Sequence, residues 1–280
     1  MKRKLVVVLG KSLLSIILLY AVVIVGSIIL QFIPGETELG LLSTPIGLMV
    51  SAWLMYVWFE KKKAWPMGWQ DRKSVGNFLM GGSIAAIVIA LSVSIILFTG
   101  NVDVQQMPWS WNVVLFQTIL FLSVAIGEEW LFRGYLYGIY KEAIGIRSAV
   151  FINSAIFTVI HLVNPEGLTR PIEYIVIEMV NIFLLAVLMS QARLFSGSLW
   201  MPIGLHFMLN FFQSSIFGFK NGGKEVESLF QLTYGDASIW NGASYGLESS
   251  LAFTPVLLII VAVYGWLGRG SVQIGNSITK

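Results

Sequence analysis

Long apolar runs alternate with short polar connections along the chain. Eight runs read as membrane spans: 12–33, 40–59, 76–98, 111–141, 148–164, 171–192, 197–217 and 249–267. A helix needs about 20 mostly apolar residues to cross a hydrocarbon core about 30 Å thick. Hydrocarbon offers no partner to backbone N–H and C=O groups, so the runs are predicted to be helices, which satisfy those groups internally. Strand alternation of the outer-membrane-barrel type is absent from the sequence. The expected fold is all-α and polytopic: one transmembrane domain over 1–280, a motif-bearing core at 111–217, and a polar, Gly-rich outer-face loop at 218–248. A loop of that length is either functional or disordered, and the sequence does not choose.

Composition agrees. Of 280 residues, 56% are hydrophobic and 12% charged, with mean hydropathy +0.78. A soluble domain carries roughly a quarter charged residues, so lipid is the expected solvent. The formal charge of +3 does not point to nucleic acid, because the cations flank apolar runs instead of interleaving with aromatics. Absence of cysteine excludes disulfides, thiolate metal sites and a cysteine nucleophile. The apolar run after Met1–Lys4 continues to about Phe32 without a convincing cleavage site, which predicts a retained first span, not a signal peptide. Trp65, Trp69, Trp109, Trp111 and Trp266, at the ends of apolar runs, fit interfacial belts.

Cations set the expected orientation. With the N-terminus inside, Lys2, Arg3, Lys4, Lys61, Lys62, Lys63, Arg72, Lys73, Lys141, Arg147, Arg193, Arg269 and Lys280 fall on the cytoplasmic side. Only Arg170, Lys220 and Lys224 fall outside, so both termini are expected in the cytoplasm.

Ionisable groups inside spans are costly, by ~2.5–3.5 kcal/mol each, and mark function by default. Three helices carry the informative ones: Glu128, Glu129 and Arg133 in the fourth, Phe157 and His161 in the fifth, His206 and Asn210 in the seventh. Glu129 and Arg133 lie one helical turn apart, which suits an ion pair. Glu128 points about 100° away and is free for another task. His206 and Asn210 share a face, and Phe157 sits one turn before His161 as a candidate wall. Glu128 lies thirteen residues before Lys141, His161 fourteen after Arg147, and His206 thirteen after Arg193, so three helices bring their polar groups to one level. A single buried His or Asn is more often an interhelical hydrogen-bond partner. Two glutamates, an arginine, both histidines of the chain and an asparagine at one depth favour a site. Glu178 and Asn181, with Glu173 near the outer end of the sixth span, are lesser candidates whose plain reading is polar packing.

The ordered motifs Glu128-Glu129-x-x-x-Arg133, Phe157-x-x-x-His161 and His206-x-x-x-Asn210 resemble the CAAX protease and bacteriocin-processing family of membrane proteins, which includes the Ras-converting CAAX prenyl endopeptidase. The resemblance covers roughly 111–217. It implies an intramembrane endopeptidase in a prokaryotic plasma membrane. Glu128 would be the catalytic carboxylate with His161 beside it, His206 and Asn210 would complete the site, and Glu129 with Arg133 would support it. The implied substrate is a membrane-associated peptide or protein. A prenylated CAAX target is not assigned, because many prokaryotic members act on other peptides and regulators.

Peptide hydrolysis needs a base for the water, donors for the oxyanion and an acid for the leaving amine. In the expected mechanism Glu128 and His161 activate the water, while His206 and Asn210 stabilise the oxyanion. The rival is zinc held by Glu128, His161 and His206, a ligand count usual for catalytic zinc. The metal-free route is preferred here, because zinc on Glu128 would leave the base role to Glu129, which Arg133 engages. Two other classes stay open: a transporter with a proton relay, against which the absence of an internal repeat counts, and a non-catalytic immunity or scaffold protein.

Overall fold

The computed structural model describes residues 2–32, 39–61, 66–99, 102–162, 169–221 and 224–278, with side chains described within 4–32, 40–61, 66–99, 102–162, 169–221 and 224–267. The expectations for Lys62, Lys63, Trp65 and Lys280, the side chains of Lys2, Arg3 and Arg269, and the far end of the fifth predicted span lie outside these residues. Of the described residues, 77% are helical. Its helices are α1 (Lys2–Leu30), α2 (Ser43–Phe59), α3 (Ser74–Phe98), α4 (Trp111–Ile144), α5 (Ile146–His161), α6 (Ile172–Ser196), α7 (Trp200–Asn210, continuing through a π turn at Phe211–Ile216) and α8 (Phe253–Ile278). Each matches one predicted span. Helix α1 begins about ten residues before the predicted start.

Among the described residues, five helices are long and apolar enough to cross a bilayer: α1, α2, α3, α4 and α6. The chain is an integral membrane protein. Helix α5 has 16 residues, about 24 Å at ~1.5 Å per residue. It is less than a full span because it stops at His161. The exposed apolar side chains of α1, among them Val6, Leu13, Ile17 and Ile24, face outward as lipid requires.

The two larger of three apolar clusters divide the bundle. One joins α3, α6, α7 and α8 through Ile89, Leu188, Leu205 and Leu257. The other joins α1, α2, α4, α5 and α6 through Met55, Tyr135, Phe157 and Ala186. Helices α3 and α7 approach closely where glycines face backbone: a Cβ at Gly204 would lie 2.1 Å from the Phe78 carbonyl oxygen, and one at Gly81 would lie 2.0 Å from that of Met201. Small residues permit such contacts in membranes, where packing replaces the hydrophobic drive between helices. Gly127 similarly brings α4 against Pro45 of α2. Gly204→Val is expected to lower the melting temperature in detergent, an overpacking cost of about 1–3 kcal/mol. Gly10→Val, where nothing lies within 4 Å, is expected to change it little.

The loop at 218–248 is ordered over its described residues. Val102–Gln106 (β1) pairs antiparallel with Phe230–Tyr234 (β2), in register Val102 to Tyr234. Leu232 and Leu247 of the loop enter the apolar cluster of α3, α6, α7 and α8. The Gln117 amide of α4 donates to the Glu227 carbonyl at 2.8 Å. At the opposite end Lys11 of α1 pairs with buried Glu60 after α2. Trp69 is turned inward against Trp130 and Trp200, at centroid distances of 5.0 and 5.5 Å, and does not join an outer belt. Trp111 and Trp266 are exposed, as a belt requires.

Candidate functional site

The polar residues of α4, α5 and α7 meet where the two apolar clusters adjoin. Helix α4 changes pitch at the motif: regular α-helix ends at Glu129 and a π turn runs from Trp130 to Leu136. π turns inside helices are rare and frequent at functional sites. Here one carbonyl of the turn accepts two donors. The Phe132 carbonyl accepts from Tyr137 N–H and also from the buried Asn153 amide of α5 at 3.0 Å. A second π turn follows Asn210 directly.

Glu129 and Arg133 form the expected pair, with Arg133 Nη1 donating to Glu129 Oε1 at 3.1 Å and both side chains fully buried. Arg133 also donates from Nη2 to the Ala186 carbonyl of α6 at 3.2 Å, and its guanidinium lies 4.4 Å from the centre of the Phe157 ring. The geometry adds what helical spacing did not give: Glu129 Oε1 lies 2.9 Å from His206 Nδ1. A Glu129 carboxylate accepts from Nδ1–H, which turns His206 Nε2 toward the site. That Nε2 lies 3.8 Å from Glu128 Oε2. His161 is fixed by the same logic, its Nδ1 lying 2.7 Å from the Phe157 carbonyl and leaving Nε2 free. Phe157 walls both imidazoles, with ring centres 4.3 Å from His161 and 6.5 Å from His206.

Glu128, Phe157, His161, His206 and Asn210 line one cavity of about 50 Å³, room for one or two waters at ~30 Å³ each. Glu128 Oε2 is buried and makes no hydrogen bond among the described residues. Glu128 and His161 also line a second space of about 420 Å³. Its walls are apolar residues of α1, α2, α4 and α5, including Leu19, Val23, Leu48, Leu131 and Ile160. The polar pair therefore stands between a small polar chamber and a larger apolar groove. Among the described residues no three His, Asp or Glu side chains converge as a cation's ligands would. The set Glu128, His161 and His206 lines one cavity.

Glu248 also lines the 50 Å³ cavity, and sequence reasoning passed over it because it lies just outside a span, at the end of the loop. Asn181 of α6 holds its backbone, Nδ2 donating to the Glu248 and Ser250 carbonyls at 2.8 and 2.9 Å. Ser249 Oγ donates to Glu178 Oε2 at 2.6 Å, and Arg170 pairs with Glu178 and donates to Ser249 Oγ. The lesser candidates Glu178 and Asn181 therefore clamp the turn that carries Glu248. Glu173, in the first turn of α6, is not among the residues lining the cavity. Burial and the neighbouring Glu178 push the Glu248 carboxyl up to about 8, with His206 and the Gln213 amide pulling against them.

Residues 109–212, which supply α4 to α7 up to the second π turn, match the model of the Rce1-like family, described as type II CAAX prenyl endopeptidase Rce1-like. No curated protein matches the chain.

Proposed function

We propose, from the match of residues 109–212 to the Rce1-like family model, that the chain is an intramembrane endopeptidase whose Glu128 activates water against a peptide bond. One observation carries the reading: Glu128 and His161 line both the small polar cavity and the apolar groove. A substrate held by an apolar segment in the groove would present its next peptide bond to the water in the cavity.

The base and the oxyanion donors then each have a group. The Glu128 carboxylate takes a proton from water, and His161 Nε2 orients that water. His206, with Nδ1–H held by Glu129, offers a second proton on Nε2 to the oxyanion, and the Asn210 amide offers another. Positioned acid–base groups of this kind contribute about 10²–10⁴-fold, and oxyanion donors about 10²–10³-fold. Arg133 and Glu129 do not touch the bond; they set the angle of His206. The proposed route is metal-free, because zinc on Glu128 would leave the base role to Glu129, which Arg133 engages. The membrane is of the prokaryotic plasma type, with both termini cytoplasmic, in line with the cation distribution.

The substrate is a membrane-associated peptide or protein with an apolar anchor, of which a CAAX-like chain is one form. In proteoliposomes the protein is expected to cleave an acyl-anchored peptide at least about tenfold faster, by kcat/KM, than the same peptide without its anchor, because binding in the groove adds to the rate at low substrate. Equal rates would remove the groove from the account. Proton-coupled uptake without cleavage would replace the reading with transport.

A further inference from the structure

The proposed mechanism leaves the departing amine without an acid, and the cavity holds one carboxyl that the mechanism does not use. We propose that Glu248 is a further catalytic residue, which faces the leaving nitrogen of the scissile bond and protonates it as the C–N bond breaks. This rests on the endopeptidase reading of the same cavity.

Three observations support it. Glu248 shares the cavity of about 50 Å³ with Glu128, His161, His206 and Asn210, so a peptide bond attacked beside Glu128 has its nitrogen within that small space. Its backbone is pinned from α6 by two hydrogen bonds from Asn181 and, one residue on, by the Ser249–Glu178–Arg170 network. A merely filling side chain has no need of such a clamp. The turn is also tight: Gly246 has φ of +100° and a Cβ there would lie 2.5 Å from the Lys220 carbonyl oxygen, so the chain is bent to bring residue 248 inward. The groups facing Glu248 are Glu128 from α4, His161 from α5, Glu178 from α6, and His206 and Gln213 from α7. Among them, the raised proton affinity of its carboxyl suits a donor at neutral pH.

The step balances. Water gives a proton to Glu128 and its oxygen to the carbonyl carbon. The tetrahedral intermediate expels nitrogen, which takes the proton of Glu248 and leaves as an amine. The proton on Glu128 then passes to Glu248 through water in the cavity, and both return to their starting forms.

The test pairs two substrates that differ only at the scissile bond, an amide and an ester, because an alkoxide leaves with far less need of a proton than an amine. With Glu248→Gln in proteoliposomes, amide kcat is expected to fall about 100-fold with little change in KM, while ester kcat falls less than about threefold. A parallel fall of amide and ester, or no fall in either, would overturn the role. If Glu248→Gln does not fold, Glu248→Asp is read in the same way: it keeps the acid but retracts it, so the amide alone should slow. Wild-type protein that cleaves neither substrate would overturn the endopeptidase reading and this one with it. Wild-type cleavage of both, with amide and ester equally affected by Glu248→Gln, would remove this one alone.

Discussion

Glu128→Gln is expected to reduce peptide cleavage at least about 10³-fold while leaving the protein folded, with KM nearly unchanged. The amide keeps the shape of the carboxylate but cannot accept a proton from water, and general-base contributions run to about 10⁴-fold. The loss should fall on kcat, because Glu128 meets the water and not the apolar part of the substrate. Its Oε2 makes no hydrogen bond among the described residues, so the change removes little packing. The measurement is steady-state cleavage in proteoliposomes beside a melting curve of the same preparation in detergent. Activity within tenfold of wild type would show that another group serves as the base.

Arg133→Met should act through stability. The guanidinium neutralises Glu129 at 3.1 Å, donates to the Ala186 carbonyl and lies over Phe157. Removing it leaves a fully buried carboxylate paired with His206 alone. Breaking one side of a buried pair costs about 3–5 kcal/mol, because the remaining charge stays out of water. A fall in melting temperature of several degrees is expected. The double change Arg133→Met with Glu129→Gln should recover much of it, since the orphaned charge is then gone. If the double variant is no more stable than the single one, Glu129 does not depend on Arg133 for its charge.

Much of the bundle could be read from the sequence, since lipid imposes helices on any apolar run of sufficient length. Spacing within one helix was equally legible. Glu129 and Arg133 stand one turn apart and do pair, and Phe157 lies one turn before His161 and does stack on it. What spacing cannot give is contact between helices. Glu129 meets His206 across 77 residues of sequence, and a helical wheel assigns it to Arg133 alone. The π turns were also hidden, for the run Trp130–Leu136 differs in composition from no ordinary apolar helix.

The loop at 218–248 was not legible for a different reason. Its polar, Gly-rich composition belongs equally to disorder and to tight turns, and only tertiary contacts decide between them. Here Leu232 and Leu247 are buried among α3, α6, α7 and α8, β2 pairs with β1, and α6 holds the turn at Glu248. Glu178 and Asn181 looked like incidental polar packing. The clamp gives them a purpose, the placement of a carboxyl from outside the motif helices.

The most direct measurement of the central reading is cleavage of an acyl-anchored peptide in H₂¹⁸O by purified protein in liposomes, followed by mass spectrometry. The account predicts one ¹⁸O in the new C-terminal carboxyl, formed by wild type and absent with Glu128→Gln. Intact peptide after incubation with folded wild type, or equal labelled product from the two proteins, would contradict it.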